Sequence, residues 1–431
     1  RFVLPCIGTM LFTSIYGIVD GLCVSNFVGK TAFAAVNLIM PLPMLLGTIG
    51  FMLGTGGSAI VGITLGEGDQ KKADRYFTLF LLAALISVSV LAVLGIVFLR
   101  PIAVLLGAKG ELLDYAVRYG RILMVSLPTF ALQNMFQSFF VTAEKPHLGF
   151  WFTVGAGCTN MVLDVLMVGI WGWGVEGAAI ATFISQLVGG VLPVFYFIDR
   201  SNSSRLHLCK TSFYSKVLRD ACINGSSELM TNLSMSLVNI LYNFQLLRLA
   251  GENGVAAYGV IMYAAFLFVA VFVGYAVGSA PIVSFHYGAR NHAEVHNLYR
   301  KSLRLIAVVA VTLTLASMFI IPCVARIFVG YDAELLALTS RAFRLYALSF
   351  LIMGFNVYAS SFFTALGDGV TSALISFLRT LAFQVIAILL LPLLLGIDGI
   401  WLAVTAAELA ALAVSVAMLL TKDKEFHYRK A

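Results

Sequence analysis

The chain repeats itself: residues 29–73 read GKTAFAAVNLIMPLPMLLGTIGFMLGTGGSAIVGITLGEGDQKKA, and residues 251–295 read GENGVAAYGVIMYAAFLFVAVFVGYAVGSAPIVSFHYGARNHAEV. The two stretches align without a gap at a shift of 222 positions, so that Gly66 falls on Gly288. Similarity at one fixed shift indicates an internal repeat. The chain is therefore built from two related halves.

The composition is that of a membrane protein. Of the 431 residues 60% are hydrophobic and 11% are charged, whereas a soluble domain carries about 25% charged residues. No Lys, Arg, Asp or Glu occurs within 31–66, 76–99 or 253–289. Apolar stretches of this length predict membrane-spanning helices, because barrel strands alternate and run for only about 10 residues.

The uncharged stretches predict an all-α membrane protein with twelve transmembrane helices in two pseudo-symmetric six-helix lobes. We expect an N-lobe over residues 1–200, a cytoplasmic linker over 201–219 and a C-lobe over 220–431. The predicted spans lie near 3–26, 33–64, 77–99, 119–143, 148–170, 176–198, 221–247, 255–285, 303–326, 343–366, 371–395 and 398–420.

The basic residues predict the orientation. With both termini in the cytoplasm, 17 of the 28 Lys and Arg residues lie in inside loops or the tail, and nine lie in outside connections or helix ends. This bias follows the positive-inside rule. The net charge of +7 is thus a topology signal and does not indicate nucleic-acid binding. A two-half membrane chain is the usual plan of a secondary transporter, whose site lies between the halves.

Four acids fall inside or near predicted spans. An acid at the bilayer centre costs about 2.5–3.5 kcal/mol on insertion scales, so such residues predict function. Asp20 lies in the first span and Asp164 in the fifth, and their repeat partners, Tyr242 for Asp20 and an apolar residue for Asp164, are not acidic. Glu228 stands at the start of the seventh span, where the helix dipole favours an acid. Glu408, in the last span, is expected to pair with Arg379.

The two Asp residues predict a cation site in the first half. Asn160 and Asp164 are four residues apart and share a helix face. Hard cations prefer oxygen ligands, and two acids in a low dielectric tend to share a proton. Either H⁺ or Na⁺ fits such a site, and we expect no cofactor. The predicted coupling residues are Asp20, Asn160, Asp164, Thr182, Asn134, Tyr119 and Gln137, with Na⁺ possible at the first four.

Other residues carry predictions of lower specificity. Apolar and aromatic side chains near the lobe interface are typical of adaptable binding surfaces. The predicted substrate cavity contains Glu228, Met40, Phe136, Tyr242, Met262 and Tyr263. Pro5 removes a helix hydrogen bond and is the predicted hinge of the first span.

The motifs resemble those of the multidrug and toxic compound extrusion (MATE) family, and most closely its bacterial DinF-like and MepA-like branches. The resemblance rests on GKTAFAAVN, GTGGSAIVGITLGEGDQKKA, NMVLDVLM in span five and GVEGAAIATFIS in span six. It covers essentially the whole chain and implies the V-shaped fold of that family. It also implies that Asp20, Asn160, Asp164 and Thr182 bind the coupling cation and that Pro5 bends the first helix.

The resemblance implies an efflux antiporter, and no enzymatic activity. Drugs and organic cations would be exported in exchange for H⁺ or Na⁺ by alternating access, across the bacterial cytoplasmic (inner) membrane. We expect a multi-pass monomer that contacts membrane lipids and no nucleic acid. The alternative is a lipid or lipid-linked oligosaccharide flippase of the same superfamily, which should carry basic residues in its cavity.

Overall fold

The computed structural model describes residues 2–28, 30–330 and 332–428, without the side chains at positions 18, 20–26, 30, 33, 34, 252, 324, 327 and 328. Over this range the chain is helical and contains no strand. The helices are α1 Val3–Phe27, α2 Lys30–Ile39, α3 Pro41–Gly66, α4 Gln70–Leu105, α5 Glu111–Thr142, α6 Pro146–Asp164, α7 Gly174–Gly190, α8 Leu192–Ile198, α9 Ser215–Asn224, α10 Ser226–Gly288, α11 His292–Val329, α12 Ala333–Ala347, α13 Phe350–Ala365, α14 Gly369–Phe377, α15 Phe383–Leu395, α16 Ile397–Thr421 and α17 Asp423–Phe426.

Several membrane helices are interrupted. Two π-helical segments, Val165–Ile170 and Leu378–Ala382, follow α6 and α14. α10 consists of two helices that meet at Gly251, whose φ of 61° and ψ of −150° only glycine adopts readily. α12 and α13 form one bent span with an angle of 46°. Counted in this way, the described residues form six spans in each half.

Length and apolarity support most of these spans directly. In the described part of the chain, eight helices are long and apolar enough to cross a membrane, or nine if the bent pair α12–α13 is one span. The remaining three spans are α1, α5 and the part of α10 before Gly251. α5 and the first part of α10 carry more polar residues, whereas α1 is apolar over Val3–Gly17 and the side chains of much of its remainder lie outside the description.

The two halves meet along α3 and α10. A Cβ at Gly66 would lie 2.0 Å from the carbonyl oxygen of Phe285, and a Cβ at Gly288 would lie 2.0 Å from that of Ile63. Under the 222-residue shift Gly66 corresponds to Gly288 and Ile63 to Phe285, so each contact is the repeat counterpart of the other. A pseudo-twofold axis therefore passes between α3 and α10. Only glycine allows backbones to approach this closely. The contact lies at the end of the bundle that carries residues 199–214 and α9, which we call the linker side.

The linker segment 199–214 packs against the first half. The backbone N–H of His207 donates to Asp74 (3.0 Å), and that of Cys209 donates to the hydroxyl of Thr78 (3.1 Å). Arg205 reaches both halves, because its guanidinium pairs with Glu144 of the first half (3.0 Å) and lies 5.4 Å from the ring centre of Phe285 in the second. The linker therefore reinforces the contact between the halves.

The glycine contact makes a testable prediction. Gly288→Ala should lower the thermal unfolding midpoint of the protein in detergent by several degrees, because an added methyl group against a backbone carbonyl forces a backbone shift that costs about 1–3 kcal/mol. The matched control is Gly259→Ala in the same helix, where a Cβ meets nothing within 4 Å. A Gly288→Ala midpoint no lower than that of the control would contradict the close approach of the halves.

Candidate functional site

The polar site of the first half lies where α6 crosses α1. Gly157 of α6 packs against the rings of Phe12 and Tyr16 of α1, and its missing side chain lets the two helices approach. Asn160 follows Gly157 by three residues, and Asp164 follows Asn160 by four, so both continue the face of α6 that meets α1. Asp164 has no solvent exposure and Asn160 is 2% exposed. The carboxylate predicted to bind a cation is therefore buried between helices.

α7 brings further oxygen atoms to this face. Gly155 lies against Val188 and Gly177 against Met167, which fixes the antiparallel register of α6 and α7. In this register Thr182 stands level with the last turn of α6, which ends at Asp164. The Thr182 hydroxyl donates to the carbonyl of Ala178 (3.0 Å), so its oxygen lone pairs are available to a ligand.

Two buried side-chain amide atoms on α6 and α7 lack hydrogen-bond partners among the described residues. They are the Nδ2 of Asn160 and the Oε1 of Gln186, which stands one turn beyond Thr182 on α7. A buried amide without a partner costs about 1–3 kcal/mol. Water can satisfy both groups, whereas a cation can satisfy the oxygen of Gln186 but not the N–H donor of Asn160. The site thus has the polarity and oxygen ligands that a small cation needs.

The α5 residues of the predicted cluster do not all belong to this site. Tyr119 and Gln137 are both on α5, 18 residues apart, which corresponds to ~27 Å along a helix. Gln137 lines a small cavity with Cys6 and Thr9 at the start of α1, on the linker side. Asn134, one turn from Gln137, is buried against α3. It lies about 22 Å along α5 from Tyr119. One small ion therefore cannot contact Tyr119 together with Asn134 or Gln137.

Asp20 and Pro5 are the two predicted site residues of α1. The side chain of Asp20 lies outside the described residues, so its pairing with Asp164 stays a prediction. In sequence, Phe12, Tyr16 and Asp20 are spaced by four and share a helix face. Pro5 is buried in the first described turn of α1, which runs without a break to Phe27. The hinge at Pro5 also stays a prediction.

A π-helical segment adjoins a buried charge in each half. Val165–Ile170 begins directly after Asp164, and Leu378–Ala382 contains Arg379. π-helical turns weaken regular helix hydrogen bonding and occur frequently at functional sites. Both segments belong to the fifth span of their half, so the two halves deform the same helix around different charges.

The second half contains a largely apolar cavity of about 190 Å³. Three tyrosines and three methionines line it, with an Arg–Glu pair at one side. The lining residues are Thr231, Met235, Val238, Asn239, Tyr242, Tyr258, Met262, Ala265, Phe266, Val269, Tyr346, Met353, Arg379, Thr380, Gln384, Val404 and Glu408. Tyr242 stacks on Tyr258 with the ring centres 5.0 Å apart. Flexible thioethers and flat rings suit bulky aromatic ligands.

A buried ion pair forms the polar side of this C-lobe cavity. Nη1 of Arg379 lies 3.4 Å from Oε1 of Glu408, whose side chain is 1% exposed. Asn356 donates to Oε2 of Glu408 (2.7 Å) and is itself oriented by the Ser415 hydroxyl (2.9 Å). The predicted pairing of Glu408 with Arg379 is confirmed. Asn356 and Ser415 fix the carboxylate, whereas Nε of Arg379 has no partner among the described residues.

Glu228 is a third charge near this pair. It lies in the first turn of α10, as predicted, and its side chain is partly exposed. Thr231 and Met235 line the C-lobe cavity and follow Glu228 by three and seven residues, so the three share a helix face. Glu228 itself does not line the cavity, whose charged lining residues Arg379 and Glu408 give it no net formal charge.

The structure separates the predicted cavity residues into two groups. Tyr242 and Met262 line the C-lobe cavity. Phe136 does not, because it is stacked on Phe197 in the packed core of the first half, with ring centres 5.6 Å apart. Met40 packs beside the core at the junction of α2 and α3, and Tyr263 is 43% exposed beside Met262. Neither belongs to the described cavity lining.

Sequence reasoning missed other cavity residues, two of which helical spacing could have identified. Met235 precedes Tyr242 by seven residues, and Tyr258 precedes Met262 by four, so each pair shares a face. Tyr346 and Met353 are seven apart on α12 and α13. Met235 and Tyr258 follow from extending the helical period from Tyr242 and Met262, whereas Tyr346 and Met353 lie on other helices across a 46° bend and have no such signal.

Comparisons with known proteins agree on one family. The MatE family model matches the chain twice, over residues 5–166 and 229–390. Multidrug export protein MepA of Staphylococcus saprophyticus is 21% identical over 428 residues, covering 98% of this chain and 93% of the relative. MepA of Staphylococcus aureus is 21% identical over 426 residues, with the same coverage.

Solved structures show the same fold. A crystal structure of MATE in complex with MaL6 superposes with a TM-score of 0.94 at 22% identity, covering 99% of this chain and 96% of that chain. An outward-facing multidrug resistance MATE family transporter of the MOP superfamily gives a TM-score of 0.94 at 23% identity, covering 99% and 95%. The predicted resemblance and the all-α, twelve-helix fold are confirmed.

The ion pair predicts a non-additive double-mutant cycle. Arg379→Met and Glu408→Gln should each destabilise the protein in detergent, because breaking a buried pair costs about 3–5 kcal/mol. The double variant should lose clearly less stability than the two single losses added together. Thermal unfolding midpoints of the four proteins measure this difference.

The matched control is the exposed pair Arg118–Glu176, whose closest atoms are 3.9 Å apart. Its substitutions, Arg118→Gln and Glu176→Gln, should have small effects that add, because exposed pairs contribute little. Additive losses at Arg379 and Glu408 would mean that the two residues do not act as a pair.

Proposed function

The chain belongs to the MatE family, and we propose that it is a secondary active multidrug efflux antiporter that exports cationic and amphipathic compounds in exchange for H⁺ or Na⁺. The observation that carries this proposal is the different chemistry of the two halves. A buried acid with oxygen-bearing neighbours lies in the first half, and an aromatic cavity whose single base is paired with an acid lies in the second. The relatives named as multidrug export proteins support the same assignment.

Asp164, Asn160 and Thr182 form the proposed coupling site, with Asp20 as its second acid. Gln186 supplies a further carbonyl oxygen one turn beyond Thr182, on the side away from Asp164. Binding of a cation neutralises the buried carboxylate, and its release toward the other side restores the charge. Moving one elementary charge inward releases about 2.3 kcal/mol per 100 mV of membrane potential, which is the driving force for export.

The C-lobe cavity is the proposed site of the exported compound. Its tyrosines and methionines contact the apolar body of the ligand, and Glu228, one turn before the lining residue Thr231, is the proposed partner of its positive charge. A flippase for anionic lipids would need an excess of basic groups here. Arg379 is the one basic residue of the described cavity lining, and it is paired with Glu408. A lining without an unpaired base therefore favours organic cations over the flippase alternative.

The proposal includes an orientation in the membrane. We place the linker side, with both termini, in the cytoplasm and the protein in a bacterial inner membrane as a monomer. The division into an N-lobe over 1–200, a linker over 201–219 and a C-lobe over 220–431 is part of the same proposal. The tight contact of α3 with α10 then closes the cytoplasmic side in the described state.

Transport in proteoliposomes tests the function. The purified protein should move ethidium against its gradient when a proton gradient or a sodium gradient is imposed alone, and the effective gradient names the ion. Asp164→Asn and Asp20→Asn should each reduce coupled transport at least tenfold, because the amide cannot exchange a charge. The exposed acid Asp114, in the first turn of α5, provides the control Asp114→Asn, which should transport normally.

Two results would overturn the proposal. Undiminished transport by Asp164→Asn would remove Asp164 from the coupling site. Failure of the folded wild-type protein to move any cationic compound under both gradients, together with movement of a lipid-linked substrate, would favour the flippase.

The cavity makes a second prediction. Met262→Trp should reduce export of bulky cations several-fold, because an indole occupies part of a cavity of only about 190 Å³. Tyr263→Trp, at the adjacent exposed position, is the matched control and should leave export unchanged. Equal transport by both variants would show that the compound does not use the C-lobe cavity.

A further inference from the structure

A second, strongly basic cavity lies on the linker side of the first half. It measures about 480 Å³ and is bounded by the start of α4 and by the linker segment 199–214. Its lining residues are Lys71, Asp74, Arg75, Arg200, His207, Cys209 and Lys210. The efflux mechanism uses none of them.

The walls of this basic cavity are held in place by hydrogen bonds across the chain. Besides the bonds from the backbone of His207 and Cys209 to α4, the hydroxyl of Thr211 donates to the carbonyl of Arg75 (2.8 Å). The side-chain amide of Gln70 donates to the carbonyl of Arg205. The linker is thus fixed on α4 along the whole edge of the cavity, and the basic side chains project from a rigid frame.

The four cations of the cavity have no acidic partner of their own. Lys71, Arg75, Arg200 and Lys210 form no ion pair with any carboxylate in the described part of the chain. The carboxylate of Asp74 already accepts the His207 backbone N–H. Four cations and one carboxylate give the cavity a formal charge of +3 with His neutral.

The nearby acid Asp199 does not balance this charge. Its carboxylate accepts both the backbone N–H (2.9 Å) and the hydroxyl (2.8 Å) of Ser201. Like charges held this close repel one another, and an anion that bridges them relieves the repulsion. Guanidinium groups bind phosphate oxygens in pairs, whereas Lys side chains supply point charges. The composition of the cavity therefore suits a phosphate group.

The position of the cavity indicates where the phosphate comes from. Arg200 follows α8, the last turn of the sixth span, on which Phe195 is 63% and Ile198 is 55% exposed. Exposed apolar side chains on a membrane helix face lipid tails, so Arg200 stands at the depth of the headgroups. Basic pockets at the ends of membrane helices are typical sites for anionic headgroups.

We propose that this basic cavity binds a phosphate-bearing anion, and that the anion is the headgroup of an anionic phospholipid of the linker-side leaflet. Lys71, Arg75, Arg200 and Lys210 contact the phosphate oxygens. Because the linker forms half of the cavity and also bears Arg205, which contacts both halves, a bound headgroup stabilises the closed linker side.

Native mass spectrometry of the full protein in detergent tests the site, with phosphatidylglycerol and phosphatidylcholine titrated separately. Wild-type protein should retain phosphatidylglycerol about tenfold more tightly than phosphatidylcholine, since each basic group near a membrane surface favours the anion. The triple variant Arg75→Gln, Arg200→Gln, Lys210→Gln should lose this preference. Inorganic phosphate, followed by thermal unfolding, forms the second arm and distinguishes a free anion from a lipid.

The control removes the same charge outside the cavity. Lys72, Lys216 and Arg219 lie on the linker side but do not line the cavity, and their triple change to Gln should keep the preference for phosphatidylglycerol. Stabilisation by inorganic phosphate alone, lost in the cavity variant, would support the phosphate site but not its lipid source. Equal loss in both triple variants, or no loss in the cavity variant, would overturn the proposal, and neither result would affect the efflux assignment.

Discussion

A charge inside a bundle of apolar helices must be compensated by groups that the bundle itself supplies or admits, since neither lipid nor packed side chains can solvate it. The second half meets this constraint with its own residues, because Arg379 pairs with Glu408 and Asn356 holds the carboxylate in place. The first half buries Asp164 on the helix face that it shares with Asn160, level with the hydroxyl of Thr182. We propose that an exchangeable cation completes the site in the first half. The two related halves would then have different tasks: one couples to the ion gradient and the other holds the compound.

The helix deformations follow from the same constraint. Both π-helical segments occur in the fifth span of their half and adjoin the buried charge of that half. In a regular helix the face on which a charged side chain lies is fixed by the 3.6-residue period, whereas an adjacent π-helical turn changes the angular position of the residues beside it. Between the halves the requirement is the opposite, because glycines such as Gly66 and Gly288 remove side chains and allow a tight backbone contact. The deformed spans are therefore suited to binding, and the glycine-lined helices to closing one side.

Much of the fold could be predicted from the sequence, because long uncharged stretches and a gapless repeat depend on local composition and spacing. Gly251 lies between the predicted spans 221–247 and 255–285, so this break was predicted. The π-helical segments were harder to predict. Val165–Ile170 contains a single glycine, Gly169, and Leu378–Ala382 contains neither glycine nor proline, so neither sequence is distinguished from ordinary helix. The placement of Glu408 beside Arg379 followed from two buried charges in adjacent spans. Residue type alone does not assign a residue to a site. Tyr119 and Gln137 are both polar, but their separation along one helix excludes a common ion site. Phe136 is aromatic and near an interface, but such a residue is as suited to a packed core as to a cavity.

The central claim is that the exchangeable charge belongs to Asp164 and that the charge of Glu408 is permanently balanced. Infrared difference spectroscopy of the reconstituted protein tests it most directly, by recording carboxyl bands as H⁺ or Na⁺ is added. We predict a carboxyl band that responds to the cation in wild-type protein, persists in Glu408→Gln and disappears in Asp164→Asn. A response that persists in Asp164→Asn and disappears in Glu408→Gln would contradict the account, because the coupling acid would then lie in the second half.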